Sequence, residues 1–246
     1  RDLHTAYRRQ RQMCIRDSTV LEERNVVPVE NGLPLETLCL LGCGVQTGLG
    51  SVLNTAEVPP GADVLVMGLG GVGLSVVQGA RIAQAETIIV SDPVEERRVK
   101  AEELGATHSI DPTSKDLLGE IMELTDGIGV DYSFDAVGNS ELIALGLALN
   151  KPGGTTVIVG AAPPDEELRF SSALHLMMSE KRLIGSLLGS CNAQRDMPVF
   201  VDYWKKGQLD LESMISNQYS LNQVNSGIEN LRNSTGIRSV IKIHEK

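Results

Sequence analysis

Aromatic residues are scarce, with three Phe, four Tyr and one Trp in 246 residues. So few rings provide no stacking platform for single-stranded nucleic acid. Positive charge is also in deficit. Lys and Arg total 22 against 32 Asp and Glu, for a formal net charge of −10. An acidic surface repels a phosphate backbone, so nucleic acid is not an expected partner. The one basic cluster is Arg8, Arg9, Arg11 and Arg16. Long apolar runs are missing. No stretch reaches the roughly 18 residues a membrane-spanning helix needs, and no membrane partner is expected. The first residues lack the apolar core of a signal peptide. The four cysteines, Cys14, Cys39, Cys43 and Cys191, do not form a dense disulfide framework. A reducing cytoplasm is the simplest compartment.

What the sequence has in quantity is glycine, 25 residues. Many of them stand at the ends of apolar runs, as in α/β proteins where short turns join buried strands to helices. Residues 1–18 are basic while the rest is acidic, which marks them as a leader foreign to the fold; a short amphipathic helix is the alternative. Residues 19–29, TVLEERNVVPV, alternate apolar and polar positions and read as extended. Residues 34–56 read as helical, interrupted by small residues around Gly42 to Gly50. Strands are predicted over 63–70, 87–92, 108–111, 130–138, 154–162 and 181–190. Helices are predicted over 71–83, 94–106, 114–125 and 140–150. This alternation implies βαβ units and a parallel, doubly wound sheet of Rossmann type with helices on both faces. Beyond 190 the rhythm changes to helices over 195–209 and 220–236 and a closing strand over 237–243.

The strongest motif is Gly68-Leu69-Gly70-Gly71-Val72-Gly73. It fits G-x-G-x-x-G, and it follows a predicted strand and opens a predicted helix. Gly68 permits the tight turn, Gly70 allows a diphosphate to approach the backbone, and Gly73 lets helix and sheet pack closely. The helix end then offers free N–H groups and a positive dipole to phosphate. Asp92 ends the next strand about 20 residues on, where this fingerprint places an acid on the adenosine ribose. A carboxylate there repels a 2′-phosphate and favours NAD over NADP. The alternative is that Asp92 caps the helix beginning near Val94.

The segments LLGCGVQTGLGSVL, VLVMGLGGVGLSVVQGARIAQAETIIVSD, VDYSFDAVG and VIVG together resemble the zinc-type, medium-chain alcohol dehydrogenases, over about 19–243. The resemblance implies that residues 46–187 are the cofactor domain. Residues 19–45 and 188–246 would be two pieces of a GroES-like catalytic domain whose bulk lies upstream of Thr19. It makes Cys43 a zinc ligand, the other ligands and the proton relay having no counterpart here. Without the resemblance, Cys43 reads as a core cysteine. Cys39, Cys191 and the four histidines match no ligand role.

The remaining contacts also follow from the resemblance. Thr47 is expected under the nicotinamide ring as the catalytic-side residue, with Leu69, Gly71 and Val72 on the glycine turn. Arg97 is expected near the adenosine ribose, unless it is a solvated face charge. Val137, Val159, Gly160 and Ala161 are expected along the nicotinamide half, and Leu187 and Leu188 where the last strand leaves the domain. Arg238 is expected at the diphosphate, which suits its forked guanidinium. Each apolar residue could otherwise be plain sheet core, and Arg238 a surface cation.

The implied activity is NAD-dependent, zinc-assisted interconversion of an alcohol, or a thiol–aldehyde adduct, with an aldehyde or ketone. The alternatives are a nucleotide-binding fragment without catalysis and a zinc-independent reductase of the same superfamily. The resemblance further implies a homodimer through strand 181–190, or a homotetramer.

Overall fold

The computed structural model describes residues 22–23, 26–169, 172–233 and 235–243. The expected leader and the beginning of the expected extended segment lie outside these residues. Residues 26–30 have no regular structure. The chain then forms α1 (Leu35–Leu38), a 3-10 turn over Cys39–Gly42, and α2 (Gly44–Gly50), which continues as a π turn over Ser51–Thr55. The expected interruption is confined to Cys43, whose φ of −147° and ψ of −75° are not helical. Gly44, Gly48 and Gly50 lie inside α2.

Next come β1 (Asp63–Met67), α3 (Gly71–Ile82), β2 (Thr87–Ser91), α4 (Glu95–Glu103), β3 (His108–Ile110), α5 (Leu117–Leu124), β4 (Val130–Asp135), α6 (Ser140–Leu149), β5 (Asn150–Ile158), α7 (Ala173–Ser179) and β6 (Arg182–Gly185). The six strands form one sheet in the order β3-β2-β1-β4-β5-β6, and every pair is parallel. The order reverses between β1 and β4. At such a switch point the loops leaving the carboxyl ends diverge and open a crevice.

The central strands β1 and β2 are apolar at nearly every position because both faces are covered. Val64, Val66, Ile88, Val90 and Phe134 share one core with Leu49 of α2, Val52 of the π turn, and Leu74, Val77 and Ala80 of α3. The alternate residues Leu65, Met67 and Ile89 share the other with Leu117 and Ile121 of α5. This is the period-2 alternation of a pleated strand. Phe134 is fully buried in β4. Phe134→Ala is expected to cost about 3–5 kcal/mol, read as a lower urea midpoint.

The last part holds α8 (Ala193–Lys205), β7 (Ile215–Ser220), α9 (Val224–Arg232) and β8 (Arg238–Lys242). β7 and β8 pair in parallel as a separate two-stranded sheet. Gln78 of α3, itself fully buried, fastens the chain ahead of β7. Its amide donates to the Asp210 carbonyl at 3.0 Å and accepts from the Asp210 N–H at 2.7 Å.

Several expected bounds shift, among them the strand expected over 63–70, which ends at Met67, and the helix expected over 220–236, which runs Val224–Arg232. The strand expected over 154–162 begins at Asn150 and ends at Ile158, with a register shift opposite Val130/Tyr132. The strand expected over 181–190 stops at Gly185, because Leu188, Gly189 and Ser190 take φ of 50°, 66° and 50°, which no strand can hold. The strand β7 is not apparent from the sequence. Among the described residues, no single helix is long and apolar enough to cross a membrane.

Candidate nucleotide-binding site

The glycine turn sits at the carboxyl end of β1, beside the crevice. Gly68 has a φ of 89°, a conformation glycine tolerates without strain. A Cβ on Gly73 would overlap the Gly68 carbonyl oxygen, so the turn closes only with glycine at that position. Gly70 differs: nothing lies within 4 Å of where its Cβ would stand. The space beside Gly70 is open, and no side chain caps the α3 N-terminus. Its first-turn N–H groups therefore face that space without a side-chain acceptor, the arrangement that binds phosphate.

Arg238, the first residue of β8, comes to this same helix end. A Cβ on Gly71 would overlap its Nε, and a Cβ on Gly44 would overlap its Nη2. The guanidinium thus lies in a slot between the starts of α2 and α3 that two glycines keep open. Burial pulls Arg238 below its ordinary pKa, and the neighbouring Cys43 opposes that shift. Among the described residues no carboxylate forms an ion pair with it. A half-buried cation at the positive end of a helix is unfavourable alone. An anion placed between the two relieves both. Gly44 is a contributor that sequence reasoning missed. Its only signal is the glycine following Cys43.

Asp92 is 4% exposed and holds the turn. Its Oδ2 accepts from the Leu69 N–H at 2.7 Å, and its Oδ1 accepts from the Val94 N–H at 2.8 Å. These bonds brace the glycine turn and the approach to α4, whose N-cap, Val94, has no side-chain cap bond, so Asp92 does not cap that helix. Each carboxylate oxygen has a second lone pair, so a ribose hydroxyl can still be accepted. Leu69 is fully buried with its N–H engaged by Asp92, so it supports the turn and presents no donor to phosphate. Arg97 lies 3.9 Å from the Asp92 carboxylate, and its Nη2 donates to the Gly236 carbonyl at 3.3 Å. It links the Asp92 corner to the loop that carries Arg238. Arg98, which sequence reasoning passed over, donates to the Asp92 carbonyl at 2.6 Å.

Val137, Val159, Gly160 and Ala161 follow the carboxyl ends of β4 and β5, on the other side of the crevice. A Cβ on Gly68 would overlap the Val137 side chain, and a Cβ on Gly160 would overlap the Gly138 N–H. Asp135 ends β4 fully buried. Burial raises its carboxyl pKa, while hydrogen bonds from the Val137, Gly138 and Asn139 N–H groups oppose the shift and Glu166 adds to it. The start of α6 is saturated by the chain itself. Asn139 Oδ1 accepts from Glu141 and Leu142 at 2.9 and 3.0 Å, and Glu166 Oε1 accepts from Ser140 at 2.8 Å. Of the two helices flanking the crevice, only α3 offers an uncapped end.

Thr47 is 8% exposed, one turn beyond Cys43, and its N–H donates to the Cys43 carbonyl at 3.0 Å. Its neighbour Gly48 brings α2 against the Val72 carbonyl, so Thr47 and Val72 stand on adjoining helices. Leu187 and Leu188 are 85% and 46% exposed where β6 ends. Cys43 is exposed. Among the described residues no group of three or more His, Cys, Asp or Glu converges. Zinc takes three or four protein ligands, so a lone Cys43 thiolate does not fit a zinc site. Cys191 is no substitute. Burial, with Asp196 beside it, pushes its thiol up to about 11.

Residues 71–206, more than half of the chain, match the family model for zinc-binding dehydrogenases. The chain is 37% identical over 230 residues to the S-(hydroxymethyl)glutathione dehydrogenase of Paracoccus denitrificans, covering 91% of this chain and 61% of that protein. It superposes on the benzyl alcohol dehydrogenase of Acinetobacter calcoaceticus with a TM-score of 0.86 and 31% identity, over 91% of this chain and 61% of the other. A zinc-binding dehydrogenase structure from Sinorhizobium meliloti, bound to NADP, matches with a TM-score of 0.70 and 28% identity, over 81% of this chain and 56% of the other. The chain thus spans less than two thirds of the length of these relatives. It belongs to the zinc-binding dehydrogenase family.

Proposed function

We propose that this chain binds NAD(H) across the crevice and forms the cofactor half of an alcohol–aldehyde oxidoreductase. The observation that carries this reading is the Arg238 guanidinium, without a carboxylate partner among the described residues, beside the uncapped end of α3. The diphosphate is held there, by the first-turn N–H groups and by Arg238. The adenosine ribose then lies toward Asp92 and the nicotinamide toward Val137, Val159, Gly160 and Ala161. Asp92, whose carboxylate can accept from a ribose hydroxyl, supports that direction, and the self-capped start of α6 favours the diphosphate at α3. Thr47 and Val72 border the ring position. When bound, the nicotinamide supplies the hydride chemistry, and the chain's own residues orient it and exclude water.

The substrate class is a small alcohol or a thiol–aldehyde adduct, as the names of the relatives suggest. We assign residues 46–187 to the cofactor domain, and 19–45 with 188–246 to a second, catalytic-type domain. The compartment is the cytoplasm. Zinc bound through Cys43 needs ligands beyond the described residues. β6 is one of the two edges of the sheet, and a second copy pairing there gives a homodimer, or a homotetramer through further contacts.

Titration followed by NADH fluorescence tests the nucleotide reading. NADH is expected to bind at least about tenfold more tightly than NADPH, since a 2′-phosphate would meet the Asp92 carboxylate. Chelation with EDTA is expected to leave NADH affinity unchanged, because no residue assigned to the nucleotide needs a metal. Absence of NADH binding by a folded protein refutes the reading. Binding without oxidation of benzyl alcohol or the glutathione adduct supports nucleotide binding alone, a second reading favoured by the single Cys43 thiolate.

A further inference from the structure

The turn joining β4 to α6 stands between the two halves of the crevice. On one side Val137 fills the space beside Gly68, and Ala136 Cβ lies 3.5 Å from where a Gly73 Cβ would stand. On the other side Gly138, with a φ of 86°, is so close to the following loop that a Cβ would be 2.5 Å from the Ala161 carbonyl carbon. One buried side chain sets the shape of this turn. Asp135 Oδ1 accepts from the Val137 N–H at 3.2 Å, and Oδ2 accepts from the Gly138 N–H at 3.0 Å. No other side chain serves these two N–H groups among the described residues. A buried N–H without an acceptor is costly, so loss of the carboxylate frees the turn to rearrange. Asp135 has no part in holding phosphate or ribose, and its burial keeps it away from any bound ligand.

We propose that Asp135 is a positioning residue for the nicotinamide half of the site: its carboxylate fixes the 136–138 turn so that Val137 and the 160–161 loop form the surface against which the ring rests. The proposal rests on the NAD(H) reading given above. It separates the two halves of the cofactor. The diphosphate and adenosine contacts lie on α3, Arg238 and Asp92, none of which bonds to Asp135. The ring contacts lie on segments that the Asp135 turn supports.

The test is a comparison of NADH with ADP-ribose, which lacks the nicotinamide, on the wild-type chain and on Asp135→Ala. Isothermal titration gives affinities, and the fluorescence enhancement of bound NADH reports ring immobilisation. In Asp135→Ala, NADH affinity is expected to fall at least about tenfold and its enhancement to be lost, while ADP-ribose affinity stays within about twofold. Asp135→Asn keeps one acceptor oxygen and is expected to recover part of the NADH affinity. If Asp135→Ala does not fold, Gly138→Ala carries the test, since it strains the same turn with the carboxylate intact, and the same split is expected. Equal losses for both ligands in a folded variant, or no loss for either, overturn the proposal. Failure of the wild-type chain to bind both ligands refutes the NAD(H) reading itself, a separable result.

Discussion

Arg238→Ala is expected to weaken NADH binding by roughly 10–100-fold, the range for losing charge-assisted hydrogen bonds of about 1.5–3 kcal/mol. The unliganded protein is expected to be as stable as wild type or more so. The reason is the slot the guanidinium occupies. It is half-buried between Gly44 and Gly71, its pKa is lowered by burial, and it lies at the positive end of α3. Removing the charge removes a repulsion that only a bound anion offsets. Function and unliganded stability therefore pull in opposite directions, as at other sites built for a ligand. A melting temperature several degrees below wild type, together with unchanged NADH affinity, would instead make Arg238 a structural cation.

A pair of glycine substitutions separates the fold of the turn from its use. In Gly73→Ala the new methyl overlaps the Gly68 carbonyl oxygen. A backbone oxygen in a closed turn cannot rotate away, so the strand–helix junction must shift. The expected result is a stability loss of about 1–3 kcal/mol and loss of measurable NADH binding. In Gly70→Ala the methyl meets nothing within 4 Å, and the backbone φ of −69° suits alanine. The melting temperature should stay at the wild-type value. NADH affinity should still fall, by about tenfold or more, because the methyl stands where the diphosphate approaches. Thermal melts with and without NADH read both effects. A Gly70→Ala protein with wild-type NADH affinity would mean the ligand does not pass that position.

The βα succession was legible because burial on both faces writes a simple signature. DVLVM and TIIVS carry apolar residues at nearly every position, and the residues between them carry helical spacing. The glycine turn was legible because three of its glycines meet separate steric or spatial demands at fixed intervals. What escaped was set by contacts between distant segments. The strand ISNQYS is polar and only half-buried, and it exists through pairing with Arg238–Lys242. The start of β5 runs through Lys151, Pro152 and Gly153, a run that reads locally as a turn, yet Asn150 pairs with Val130. The end of β6 is set by left-handed residues, two of which, Leu188 and Ser190, are not glycine.

The site was legible to a similar degree. Gly68–Gly73, Asp92, Arg97 and Arg238 converge on one crevice although Arg238 lies far along the chain. The bonds of Asp92 to the Leu69 and Val94 N–H groups gave no sign in the sequence, where only a helix cap or a ribose contact could be weighed. Asp135 gave no distinguishing signal, because an acid at a strand end is common and its burial is a property of the assembled sheet. For Cys43, the pattern LLGCG fits a ligand role that the described residues alone do not complete.

Nucleotide binding at the glycine turn is read residue by residue from backbone amide chemical shifts during an NADH titration of the 15N-labelled protein. Saturable shifts are expected to concentrate at Gly70–Gly73, with the Arg238 Nε–H moving in step, and ADP-ribose is expected to reproduce the same set. Saturation with shifts confined to other segments, or none at millimolar NADH in a folded sample, would contradict binding at the turn.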